Sequence, residues 1–240
     1  GARLLAPSAS HPLGTDALGR DVLARVLHGS RVSLAVGWVS VAAAGLLGAA
    51  IGLAAGLGPR ALDRGLMALA DLFLAFPRIC LVLLLVGVSR PSLVLVMFVL
   101  GLTGWMDVAR LVRAETLSLR ERDFVTAVRG LGIGGFAVAR RHILPNVLPT
   151  ILVAATLRVG GAILIESFLS YLGVGAQEPT VTWGAMIAQG RPYLLDAWWL
   201  SVFPGIAIAL TVLGHNLLGD GLRAWADPRA ATGEARDVRP

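Results

Sequence analysis

Seven arginines (Arg110, Arg113, Arg120, Arg122, Arg129, Arg140 and Arg141) stand between residues 110 and 142, against the acids Glu115, Glu121 and Asp123. Apolar runs flank this stretch on both sides. It reads as a basic loop between membrane spans, held on the cytoplasmic side by its charge. It also has internal order, so it can present a folded docking surface to a cytoplasmic partner. A second set of ionisable side chains lies inside the apolar runs: Asp71, Arg78, Arg158, Glu166 and His215. Such groups mark pathways or pair with neighbouring spans. Asp71 and Arg78 are seven residues apart and can share a helix face. Arg158 and Glu166 would lie about 12 Å apart along one helix, too far to pair directly. Glu166 and Asp71 are therefore the candidates for a solute or ion pathway, while His215 reads as a packed or hydrogen-bonded side chain.

Other chemistries are excluded by what is missing. All 21 basic residues are arginine. A phosphate-binding loop of the Walker type needs its lysine, so ATP hydrolysis must come from another subunit. No HExxH or GxSxG motif occurs, and the four histidines show no metal-ligand spacing. Catalytic residues, a metal site and a bound cofactor are accordingly not expected. The single cysteine, Cys80, permits no intrachain disulfide. The net charge of +6 does not point to nucleic acid, because the arginines sit at span ends rather than on one face or in one tail.

The elements that must position these groups are membrane helices. Of 240 residues, 56% are hydrophobic and only 15% charged, and mean hydropathy is +0.75. Soluble domains carry about 25% charged residues. Five runs can cross a bilayer, a task for roughly 20 helical residues. They are 32–57, 66–88, 92–109, 147–172 and 198–218. With residues 110–142 inside, thirteen arginines fall inside and six outside, as the positive-inside rule requires. This topology leaves residues 1–31 outside, which implies a first span upstream. The expected fold is an all-α polytopic membrane protein. It comprises an external segment (1–31), a membrane domain (32–223) and a disordered cytoplasmic tail (224–240).

Finer features follow. Thr15 or Asp16 can cap an amphipathic helix from Ala17 to about His28, with Asp21 and Arg25 as an i,i+4 pair. Gly48, Gly52 and Gly56 form a small-residue ridge for close helix packing. Ser118 and Glu121 have the spacing of a capping box. They would open a helix through Phe124, Val125, Val128 and Leu131, which the glycines at 130–135 break. A second short helix, about 136–143, ends at Pro145. Trp183, Trp198 and Trp199 fit an interfacial aromatic belt, and Pro77 and Pro204 kink their spans.

At this loop the chain resembles the binding-protein-dependent ABC importer permeases. Their coupling loop reads Glu-Ala-Ala, three residues, Gly, then a run ending in Ile-x-Leu-Pro. This chain has Thr126-Ala127-Val128, Gly132 and His142-Ile143-Leu144-Pro145-Asn146, with Thr126 in place of the glutamate. His11–Asp16 with Gly19–Leu23, Leu169–Gly175 with Thr182–Gly184, and Asn216–Arg223 with Asp227–Arg229 are similar to the second, C-type permease subunit of dipeptide, oligopeptide and nickel importers. The resemblance runs from about residue 11 to 229.

The resemblance implies a type I importer permease fold in a bacterial or archaeal plasma membrane. It implies a second permease subunit as heterodimer partner, two cytoplasmic ATPase subunits that use ATP, an external solute-binding protein and surrounding lipid. The coupling loop (110–146) would dock on an ATPase through Arg122, Asp123, Thr126, Ala127, Gly132, Arg140, Arg141, His142, Ile143 and Pro145. The alternative is a self-sufficient secondary transporter or channel that uses Asp71, Arg158 and Glu166 as a relay.

Overall fold

The computed structural model describes residues 3–88 and 91–226. The described residues are almost entirely helical. The order is α1 (Val22–Leu57), α2 (Arg60–Leu74), α3 (Arg78–Gly87), α4 (Leu93–Leu102), α5 (Trp105–Arg120), α6 (Asp123–Gly130) and α7 (Gly135–Val138). A π-helical turn (Ala139–Ile143) leads into α8 (Leu144–Tyr171), followed by α9 (Trp183–Gly190), a 3-10 turn (Arg191–Tyr193) and α10 (Trp199–Ala226). Among the described residues, four helical stretches are long and apolar enough to cross a membrane, or five if α2 and α3, divided at Pro77, count as one.

Several boundaries differ from those read in the sequence, each for a physical reason. The third span does not stop at Ala109: α5 carries the helix on to Arg120. Arg110 and Arg113 donate to Asp71 and Asp63, and Arg120 donates to the Gly56 carbonyl. Their charges are thus compensated, and the helix need not end where polarity begins. Ser118 lies inside α5 and Glu121 caps its C-terminus, so the two do not form a capping box. Pro145 does not end a helix either. Helix continues from Gly135 to Tyr171, and the wider π turn just before Pro145 absorbs the donor that proline lacks. Asp71 pairs with Arg110 and not with Arg78. Of the tail, residues 224–226 continue α10, and 227–240 lie outside the described residues.

The chain divides into two compact units, each with its own core. One draws on Gly1–Val41, Arg78–Gly101 and Arg158–Gly214. Its core joins Val36, Val82, Val86, Val96, Leu100 and Leu169. Here the expected amphipathic helix from Ala17 is absent. Asp16 Oδ1 instead accepts from the N–H groups of Leu18 and Arg20, folding a turn, and α1 begins only at Val22. Asp21 accepts from Ala24 N–H and His11 Nδ1, while Arg25 turns to Asp16 rather than Asp21. Arg25 also donates to Gln189 Oε1 at 2.7 Å, tying the segment to α9. At the end of α8, Gly173 takes φ +81°. This lets Val174 N–H reach back to the Leu169 carbonyl, the usual glycine stop.

Asp16 is buried. Burial opposes its charge, but the Arg20 N–H, the Arg20 and Arg25 guanidiniums and the Leu18 N–H outweigh it, holding the carboxyl below the ordinary 3.8. Asp21 is lowered too, by the Ala24 N–H and then His11. A carboxyl with a depressed folded-state pKa adds stability above its unfolded pKa and loses it as pH falls through the folded one. Melting temperature should therefore drop as pH falls below about 4. Asp16→Ala should cost about 3 kcal/mol at neutral pH by leaving Arg25 buried and uncompensated. The gap between wild type and Asp16→Ala should narrow in acid. A gap that stays constant from pH 7 to 3 in thermal melts would count against the paired carboxylate.

Candidate functional site

The second unit draws on Ala42–Pro77, Leu102–Leu157 and His215–Pro240, and it contains the stretch after α5. This stretch is folded, not a tether. Arg122 N–H bonds the Leu119 carbonyl at 3.1 Å, closing the end of α5. Val125 and Thr126 N–H both return to the Arg122 carbonyl, starting α6. Gly132 adopts φ +77°, the left-handed region a side chain avoids, and so turns the chain between α6 and α7. Gly134 then begins α7 with extended backbone. Val125, Val138, Ile143 and Val147 are fully buried and share one core with Val108, Val112 and Leu119 of α5. Residues 121–146 are thus fastened to α5 and α8 by apolar side chains at helical spacing.

What faces outward is unusual for a loop. Phe136 is 81% exposed and Leu131 80% exposed, with Phe124 and Ile133 also on the surface. Arg122, Asp123, Thr126, Ala127, Arg140, Arg141 and Pro145 are exposed beside them, and His142 is half-buried. Ile143 is the exception: it is buried and belongs to the supporting core. Large apolar side chains and guanidinium groups exposed on one segment, over a buried apolar base, make a surface suited to gripping another protein. Beside it, a cavity of about 770 Å³ is lined by Glu115, Arg122, Asn146, Thr150 and Arg223 among others.

The glycine ridge packs within this same unit. A Cβ on Gly48 would sit 2.6 Å from Val108 Cβ, on Gly52 2.6 Å from the Ala109 carbonyl, and on Gly56 2.6 Å from Thr116 Cγ2. α1 and α5 therefore approach backbone to backbone, which only glycine permits.

The ionisable residues of the spans fall into different settings. Asp71 is exposed and paired with Arg110. Glu166 is fully buried, and its Oε1 accepts from Ser170 Oγ at 2.7 Å. Trp183 and Trp199 do not belong to an aromatic belt. Both are buried, with indole N–H groups on the carbonyls of Val26 and Thr15; Trp198 alone of the three is exposed. Sequence reasoning missed the Asp63–Arg113 pair, where Arg113 Nη2 donates to Asp63 Oδ2 at 2.7 Å. No local signal pointed to it, because Asp63 precedes the apolar run 66–88 and Arg113 follows the run 92–109.

Comparison with known proteins gives concordant results. The family described as "Binding-protein-dependent transport system inner membrane component" matches residues 48–232. The chain is 44% identical over 230 residues to the probable D,D-dipeptide transport system permease protein of Escherichia coli K12, covering 95% of this chain and 77% of that one. It is 41% identical to the dipeptide transport system permease protein of Alkalihalophilus pseudofirmus, over 95% of this chain and 75% of the relative. To the glutathione transport system permease protein of Pectobacterium atrosepticum it is 40% identical, over 93% and 74%. Among solved structures, a chain of the inward-facing MetNI methionine ABC transporter superposes with a TM-score of 0.67 at 19% identity, covering 84% of this chain and 96% of that chain.

Proposed function

This chain belongs to the family of binding-protein-dependent transport system inner membrane components, and we propose that it is a permease subunit of an ATP-driven importer of peptides or related small solutes. It pairs with a second permease subunit as a heterodimer, each forming half of the pathway. Two cytoplasmic ATPase subunits grip the 121–146 surfaces of the pair, and an external binding protein delivers the solute. The chain itself catalyses nothing and holds no cofactor; ATP is used by the partner. It resides in a bacterial or archaeal plasma membrane with residues 121–146 inside, a topology supported by the arginine distribution.

The observation that carries this reading is the exposed Phe136–Leu131 surface on a buried Val125–Val138–Ile143 base. A topogenic loop needs neither. The peptide class is supported by the names of the relatives. The secondary-transporter reading loses support from Asp71, which is exposed and paired with Arg110. The test is reconstitution of both permease subunits and the binding protein in liposomes, with radiolabelled dialanine outside. Uptake should occur only when the ATPase subunits and ATP are present. Gradient-driven uptake by this chain alone would overturn the assignment.

A further inference from the structure

We propose that two carboxylate–guanidinium pairs between α2 and α5 form a strut that makes α2 move as one body with the 121–146 segment. Asp63 and Arg113, with Asp71 and Arg110, are then positioning residues for transport. The inference rests on the coupling role proposed above.

α2 is weakly held by packing. Of its 15 residues only Ala70 is buried, and Leu62, Leu69 and Leu72 remain exposed. Its attachments to α5 include two ion pairs. Arg113 reaches Asp63 with two prongs: Nε to Oδ1, and Nη2 to Oδ2 at 2.7 Å. Such a fork fixes direction as well as distance. Two turns further along α2, Asp71 accepts from Arg110. Residue numbers rise along α2 as their partners' numbers fall along α5, so the helices run antiparallel. The two pairs together fix both the position of α2 along α5 and its rotation.

α5 is in turn welded to the docking surface. Leu119 shares a buried cluster with Val125, Val138 and Ile143. Displacement of α6 and α7 therefore moves α5, and the ion pairs hand that motion to α2. Asp63 and Arg113 are part-buried and forked, whereas Asp71 and Arg110 are exposed, so the first pair is the stronger hold and the second adds direction.

The test uses the whole transporter, with its ATPase subunits and binding protein, in nanodiscs. Cys80 is replaced by alanine, and spin labels are placed at Leu69→Cys on α2 and Ser118→Cys on α5. Both positions are exposed. The wild-type background should give one narrow interspin distance, unchanged between nucleotide-free and vanadate-trapped states. Asp63→Asn with Asp71→Asn should broaden it and make it differ between states. ATP hydrolysed per dialanine imported should rise about tenfold. Asp63→Arg alone should do the same, and adding Arg113→Asp should restore the narrow distance. A wild-type-like distance in the Asn variant, or a swap that rescues nothing, overturns the strut. Co-purification of the ATPase with the wild-type chain is scored separately. Its failure would sink the coupling role, whereas the nucleotide-free distance width still decides whether the pairs hold α2.

Discussion

Gly52→Ala should lower the melting temperature of the purified protein, whereas Gly45→Ala, about two turns earlier on the same helix, should leave it unchanged or raise it. The chemical change is identical: one methyl group. At Gly52 the new Cβ would stand 2.6 Å from the Ala109 carbonyl oxygen and 2.7 Å from Val112 Cβ. A backbone oxygen in the middle of α5 cannot swing aside as a side-chain tip can. The two helices must separate, and the contacts at Gly48 and Gly56 separate with them. Overpacking of this kind costs about 2 kcal/mol or more. For a chain of this length that amounts to a loss of roughly 4–8 °C. At Gly45 nothing lies within 4 Å of the added carbon, so only the better helix propensity of alanine remains. Gly52→Leu should yield no folded protein. Because the ridge meets α5 of the same chain, the defect should appear in the isolated subunit, before any partner is added. Equal melting temperatures for Gly52→Ala and Gly45→Ala would contradict the close approach.

Replacing Phe136 and Leu131 by alanine should weaken binding of the ATPase subunit by about 30-fold or more, the cost of losing an interface anchor of at least 2 kcal/mol. Thermal stability should barely change, because the two side chains are 81% and 80% exposed and support little of the fold. Val125→Ala should behave in the opposite sense. Val125 is fully buried under the surface, so truncation should lower stability first and binding only through it. Reversing the charges of Arg122, Arg140 and Arg141, all exposed, should act on association rate and its salt dependence more than on dissociation. Binding of the permease in detergent to immobilised ATPase subunits, alongside melts of the same samples, separates these outcomes. Wild-type affinity in the Phe136→Ala, Leu131→Ala double variant would show that the partner grips elsewhere.

The membrane class, the small-residue ridge and the basic stretch after the third run were all legible along the chain. Each rests on a local property: hydropathy over a span, a four-residue spacing, or a local excess of one charge. The importer motifs were legible for the same reason, being contiguous. Helix ends were not. The polar boundary at Ala109 reads as the end of a span, yet Arg110 and Arg113 continue the helix because Asp71 and Asp63 compensate them from 39 and 50 residues away. Ser118 and Glu121 have capping-box spacing, but α5 runs through the first and ends at the second. Asp21 and Arg25 have i,i+4 spacing, but Asp16 offers Arg25 a buried carboxylate already ordered by two backbone N–H groups.

A helical membrane chain with a charged, ordered segment to present follows from composition and spacing alone, because burial of apolar surface and the cost of charge in lipid act on stretches of chain. Which charge meets which, which face of the segment is buried and which stays open emerge only in the folded chain. Those choices depend on side chains brought together from distant positions, where a spacing rule has no reach.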